Sequence, residues 1–331
     1  MKLSMVSMND VAKRAGVARS TVSKALRGDP SISAKLTKKV KGVAQKMGYT
    51  PHPLVSALMA QIHNRRRRSD PYHLAWVDLW PRGQSVRMVP YWSQHLAGVC
   101  ERAAELGYSV EVHENISDRI SPDRLRNILT ARSQWGIILP PVPESAMNFP
   151  IDLRGLAAVT IGTSLRSPAI HRVSHNHFQG AQLACDRLRA KGFKRIGFCI
   201  TTAHSRRVEG KWYGGYLARQ LEWPKTERLR PLLVPPDDGT AFRRWLTAEK
   251  PDAVLLAEGK IASWIREASY PAQIVWLTLA GKEPGFWGVD QLPELVGRAA
   301  VEMTVGQIHR NERGMPPHPY ALHLDGAWVE G

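Results

Sequence analysis

Apolar positions in residues 1–50 fall at helical spacing in three short bursts. Val11, Ala12 and Ala15 lie one turn apart, Val22, Ala25 and Leu26 repeat the spacing, and Val40, Val43, Ala44 and Met47 repeat it again. Ser7 and Asp10 stand three apart at the start of the first burst, the spacing of a capping box. Gly16 follows that burst, where a backbone free to take positive φ ends a helix. Val17 is the apolar residue of the turn. Ser33 is placed to cap the third helix, Gly48 closes it, and Tyr49 is expected to fold back on the bundle. While Val22 and Ala25 face inward, the second helix presents Arg19, Ser20, Thr21, Ser23 and Lys24 outward.

Beyond this bundle Pro51 and Pro53 break the pattern. Leu54, Val55, Leu58 and Ile62 then resume helical spacing just ahead of four consecutive arginines, Arg65–Arg68. From residue 69 on, strand-like and helix-like runs alternate. Strands are expected at 74–80, 109–113, 136–139 and 158–161, with helices at 91–106 and 122–131 between them. A second series follows, with strands at 195–200, 232–234, 253–257 and 274–277 and helices at 178–190, 211–220, 240–248 and 260–267. A long helix is expected at 294–310. Two such series imply two parallel sheets covered by helices, and a cleft between two lobes where the carboxyl ends of the strands meet. The chain is therefore expected to be multidomain: an all-α head over 1–51, a hinge helix and basic linker over 52–68, and an α/β two-lobed body over 69–331. Lobe 1 is expected at about 69–163 and 290–320, and lobe 2 at about 164–289 and 321–331.

Charge sharpens this division. Residues 1–68 hold 15 Lys and Arg against Asp10 and Asp29, a net charge of +13 out of +17 for the whole chain. A basic head on a nearly balanced body points to a dedicated polyanion-binding module. A helix entering the major groove needs short polar side chains for phosphates and longer ones for base edges, which is the outer face of the second helix. The three cysteines, Cys100, Cys185 and Cys199, form no C-x-x-C pair and suggest reduced thiols in a cytoplasmic protein. The start is too short and polar for a secretory signal, and no 18-residue apolar run exists. No nucleophile elbow, Walker A loop, H-E-x-x-H or G-x-G-x-x-G is present, so an enzyme is not expected. His171, His175 and His177 cluster without a nearby acid or cysteine, and no metal or cofactor is expected there.

The head resembles the LacI/GalR family of bacterial transcription repressors. Asp10-Val11-Ala12, Ala15-Gly16-Val17, Ser20-Thr21-Val22-Ser23, Ile32-Ser33, Gly48-Tyr49-x-Pro51 and Leu58 carry the resemblance. It implies a lambda-repressor-like helix-turn-helix in which Arg19 and Ser20 read base edges at the start of the recognition helix. Lys24 stands where the family has a base-reading arginine, and Ser7, Thr21, Ser23 and Ser33 fall at phosphate-contacting or capping positions. Leu58 matches the leucine that wedges into the minor groove from the hinge helix, beside Val55 and Ser56. The hinge departs from the family pattern: His52 replaces Asn, Val55 replaces Ala and Ser56 replaces Arg. Arg65–Arg68 is a candidate substitute for the lost minor-groove cation. Leu36-Thr37 also replaces a usual Thr-Arg.

The body resembles the family's periplasmic-binding-protein-like core through Gly107-Tyr108, 176–181, 192–197 and 291–300. Its expected effector-binding residues are Arg82, Trp92, His175, Lys211, Trp212, Glu258 and Trp276. Here too the pattern departs. His175 and Thr278 stand at or near positions that are aspartates in the family, Lys211 replaces an arginine, and Glu258-Gly259 replaces Asn-Asp. The resemblance thus implies a homodimeric repressor on a palindromic operator in double-stranded DNA. A small-molecule effector, a sugar or sugar derivative in the family pattern, would control it from the cleft. The competing reading is a DNA-architectural protein with little sequence preference.

Overall fold

The computed structural model describes residues 6–26, 32–49, 72–81, 90–114, 121–144, 147–148 and 152–331. The expected hinge residues Val55, Ser56 and Leu58, the Arg65–Arg68 run and the loop residue Arg82 lie outside these. The chain divides into two units, Met1–Pro71 with Val305–Arg313 and Tyr72–Thr304 with Gly314–Gly331.

In the first unit, α1 (Met8–Ala15), α2 (Arg19–Leu26) and α3 (Ala34–Lys46) close on a core of Val11, Ala12, Ala15, Val22, Ala25, Val40 and Ala44. Small residues dominate this core, so the helices approach closely. The capping box forms as the spacing predicts: Asp10 N–H donates to Ser7 Oγ at 3.3 Å, and Ser7 N–H donates to Asp10 Oδ2 at 2.9 Å. Gly16 ends α1 at φ 69°, its N–H turned back to the carbonyls of Ala12 and Lys13. Ser33 caps α3 through Leu36 N–H, and Tyr49 packs against the bundle.

The second unit holds two six-stranded sheets. The first is built from β1 (Tyr72–Val77), β2 (Tyr108–His113), β3 (Gly136–Leu139), β4 (Ala157–Ile161) and β5 (His171–His175), with β11 (Ala321–Leu324) added at its edge. Its order is β11-β5-β4-β3-β1-β2, parallel throughout. The second contains β6 (Ile196–Thr201), β7 (Leu232–Val234), β8 (Ala253–Leu256), β9 (Gln273–Leu279), β10 (Trp287–Asp290) and β12 (Ala327–Glu330) in the order β12-β10-β9-β8-β6-β7. Only its β10–β12 pair is antiparallel. Strands covered on both faces read as continuous apolar runs rather than alternating ones, and β3 (GIIL), β4 (AAVTI) and β8 (AVLL) are buried along their whole length.

Helices cover the sheets. Those that matter here are α4 (Pro90–Glu105), α5 (Pro122–Ala131), α6 (His177–Ala190), α7 (Thr202–Arg207), α8 (Lys211–Gln220), α9 (Gly239–Glu249), α10 (Gly259–Glu267) and α11 (Pro293–Arg310). No described helix is long and apolar enough to cross a membrane. Glycines set two close helix approaches. A Cβ on Gly215 of α8 would lie 2.3 Å from the Phe178 carbonyl oxygen of α6, and one on Gly297 of α11 would lie 2.2 Å from the His95 carbonyl oxygen of α4.

Two expectations need correction. The first lobe does not end near residue 163, because β5 pairs with β4 and β11 pairs with β5. The chain therefore passes between the sheets at 175–177, at 290–293 and at 324–327. The segment 321–331 does not belong whole to the second lobe either: its β11 joins the first sheet beside the buried strand β5, and only β12 joins the second.

Candidate DNA-binding head and interlobe cleft

The turn between α1 and α2 fixes which face of α2 is presented. Val17 N–H reaches back to the Ala12 carbonyl at 3.1 Å, which seats Val17 against the core and starts α2 at Arg19. Val22 and Ala25 are buried, while Arg19, Ser20 and Lys24 are exposed and Thr21 and Ser23 are half-buried. Three exposed groups that hydrogen-bond as long cations or a short hydroxyl thus share one helix face. Ser7 and Ser33 are spent on caps, although both are also exposed. Burial is light in this unit; Asp10 is held below its ordinary value by its hydrogen bonds to the Ser7 side chain and backbone.

In the second unit the chain order of each sheet reverses at one place. The β2-β1-β3 and β7-β6-β8 neighbours are topological switch points, where connections leave in opposite directions and open a crevice at the strand ends. Both crevices contribute to a cleft of about 240 Å³. At the end of β1, the buried Asp78 accepts the Trp80 backbone N–H at 2.9 Å, and the Trp80 indole donates to the Pro141 carbonyl at 2.7 Å. This pins the Trp80 ring 4.8 Å from the Trp92 ring of α4. From the other lobe, Arg207 at the end of α7 places its guanidinium carbon 5.7 Å from the Trp80 ring centre and 5.8 Å from that of Trp92. Its Nη1 donates to the Val142 carbonyl at 2.7 Å, and its own carbonyl accepts from Thr163 Oγ1 at 2.7 Å. Burial draws the Arg207 pKa below its ordinary value.

Imidazoles line the opposite wall. His175 ends β5 and His177 begins α6, with ring centres 5.2 Å apart, and His177 meets the Trp212 ring edge-on at 4.8 Å. Two glycines make room for His175: a Cβ on Gly180 or on Gly326 would lie 2.7 Å from its ring. Burial lowers His175 to about 4 and His95 to about 3, and drives His177 well below its ordinary value. These rings are therefore neutral at pH 7. No group among the described residues is arranged to hold a metal ion. His171 instead stacks on Tyr320 at 5.0 Å and accepts the Tyr320 N–H.

Among the residues expected to face an effector, Trp92, His175 and Trp212 line the cleft. Lys211, Glu258 and Trp276 do not. Lys211 starts α8 and pairs with Glu209 at 2.7 Å. Glu258 is turned to the neighbouring helix start, accepting from Thr201 Oγ1 at 2.6 Å and meeting His204 Nδ1 at 3.3 Å. Burial alone would raise the Glu258 carboxyl, but the bonds from His204 and Thr201 outweigh it and hold it low. Trp276 lies on β9 against Phe286. Sequence reasoning missed Arg207, His204, Tyr91 and Gln291. Arg207 belongs to a six-residue helix too short for a periodic signal, and only Thr201, which caps it through His204 N–H, marks its start. Tyr91 of α4 donates to Gln291 Oε1 from the other lobe, and Gln291 Nε2 donates on to Leu277 O at 2.5 Å.

Residues 7–52 match the family model described as "Bacterial regulatory proteins, lacI family". The regulator CelR of Thermobifida fusca is 26% identical over 329 residues, covering 90% of each chain. The NTD biosynthesis operon regulator NtdR of Bacillus subtilis is 23% identical over 203 residues, which is 61% of this chain and 57% of NtdR. The chain thus spans little more than half the length of some curated relatives it matches. The crystal structure of the lac repressor dimer bound to operator and the anti-inducer ONPF has the same fold, with a TM-score of 0.52 at 19% identity over 98% of both chains.

Proposed function

We propose, from the match of residues 7–52 to the lacI family of bacterial regulatory proteins, that the chain is a sequence-specific, effector-controlled repressor acting as a homodimer. The observation that carries this reading is the face of α2. Arg19, Ser20 and Lys24 are exposed on it while Val22 and Ala25 hold the helix to the bundle. Two such helices would enter successive major grooves, so the operator is a near-palindrome. Val55, Ser56 and Leu58 would sit between the half-sites in the minor groove, where an apolar wedge unstacks a base step. The operator-bound lac repressor dimer supports this arrangement by analogy of fold.

The cleft is the effector site in this reading. Its walls come from both lobes, so a ligand that binds one lobe arrangement better than another shifts the balance between them. The coupling needed is modest, roughly 1–3 kcal/mol, and reciprocal: operator changes effector affinity by the same factor. Selection of the purified protein on random double-stranded DNA at near-physiological salt tests the proposal. Enrichment of a short palindrome supports a dimeric, sequence-specific regulator. Binding without enrichment that vanishes as salt rises would instead favour an architectural role for the +13 segment 1–68.

A further inference from the structure

The lining of the cleft is one-sided in its chemistry. Among the described residues its lining contains no aspartate or glutamate, and the one permanently charged side chain there is Arg207. Sugar hydroxyls donate as well as accept, so a pocket for a neutral sugar needs strong acceptors, and carboxylates supply them best. Glu258, which follows the lining residue Ala257, turns Oε1 to Thr201 and His204, and its buried Oε2 is without a partner but lies outside the lining.

Donors, by contrast, are left over. Trp212 is 1% exposed and its indole N–H meets no acceptor among the described residues. His177 is 8% exposed and its Nδ1, a donor or an acceptor according to tautomer, also meets no partner among the described residues. Both rings line the cleft. Among the described residues the Arg207 side chain donates to one neutral carbonyl, and the Glu144 carboxylate acts on it only through space. A half-buried guanidinium without a counter-charge in the lining and an unpartnered buried indole N–H are costly unless something fills them.

We propose that the effector is a small organic anion, a carboxylate- or phosphate-bearing metabolite, whose charge is met by Arg207 and whose remaining acceptor atoms meet Trp212. This rests on reading the cleft as the effector site. The cleft volume of about 240 Å³ limits the ligand to a compact molecule. Trp92 lines the cleft where its apolar part would lie, and the Arg207 guanidinium carbon sits 5.8 Å from that ring centre and 5.7 Å from that of Trp80 behind it.

The test is tryptophan fluorescence of the full-length protein, titrated at constant ionic strength. All eleven tryptophans lie beyond residue 71, so anions bound to the basic head are silent. The probes are gluconate, glucose 6-phosphate and inorganic phosphate, each against chloride, with glucose as the neutral match. A saturable response to a carboxylate or phosphate probe is expected, absent for glucose. Arg207→Gln should weaken it about tenfold or more, the loss of one charge-assisted bond, while Arg207→Lys retains part of it. Trp212→Phe, which keeps the ring and removes the donor, should weaken it without changing the fluorescence of Trp80 and Trp92. Circular dichroism melts establish that each variant is folded. A response unchanged in Arg207→Gln, or confined to glucose, would overturn the anion while leaving the cleft as effector site. Silence towards anions and sugar alike would remove both readings.

Discussion

The guanidinium of Arg207 and the ring of Trp92 come from different lobes and meet at 5.8 Å across the cleft. A cation over an indole face in a partly desolvated setting contributes about 0.5–2 kcal/mol. A double-mutant cycle of Arg207→Gln with Trp92→Leu, read by thermal or urea unfolding, should therefore give a coupling energy in that range. Additive effects would show that the two groups are only neighbours.

Arg19 is the long, exposed cation at the start of α2. Arg19→Ala should relax base preference at one or two positions of each half-site and cost roughly 1–3 kcal/mol there. A uniform loss across all sequences, with a smaller salt slope, would make Arg19 a phosphate contact.

Ser7 and Asp10 cap α1 reciprocally. Ser7→Ala should lower head stability by about 1 kcal/mol, measured on the low-temperature melting transition. Because its folded pKa lies below 3.8, Asp10 stabilises the head fully above that pH. The contribution is lost as pH falls through the lower folded value, and Asp10→Asn should abolish that part of the pH dependence.

How far the sequence alone reached follows from where the signals are local. The head was legible almost residue by residue, because caps, a glycine turn and a 3.6-residue period all act within a few positions, as Ser7, Gly16 and Ser33 do. Most body strands were legible because they are apolar throughout. β5 was not, since its buried His171, Ser174 and His175 take their burial from β4 and β11, which are distant in sequence. The cleft was legible only in part for the same reason. Trp92 and Trp212 stood out as large aromatics, whereas Arg207 is one arginine among many until the fold sets it over two rings. Lys211 and Glu258 carried suitable chemistry but found nearer partners in Glu209 and His204.

Gly215 of α8 faces the backbone of α6 with no room for a methyl group. The obstacle is the Phe178 carbonyl, which no rotamer change can move. Gly215→Ala should destabilise the body by about 1–3 kcal/mol, seen as a lower midpoint in urea. An unchanged midpoint would mean that the two helices separate freely.

The neutral histidines make the body sensitive to mild acid. The unfolded chain protonates near 6.5, whereas folded His175 waits until about 4 and His95 until about 3. Their contribution is therefore complete above pH 6.5 and declines as pH falls through the interval below it. Melting midpoints measured from pH 7.5 to 4.5 should fall steadily, and His95→Leu should flatten the slope.

Strands β11 and β12 are separated by only Asp325 and Gly326, yet they complete different sheets, β11 beside β5 and β12 beside β10. During biosynthesis this couples the two lobes in time. Until residues 321–330 emerge, β5 and β10 each offer an open edge of unpaired peptide groups, the kind of template on which other chains pair. A chain that stops within α11 would thus hold two unfinished sheets at once, because the same short segment seals both.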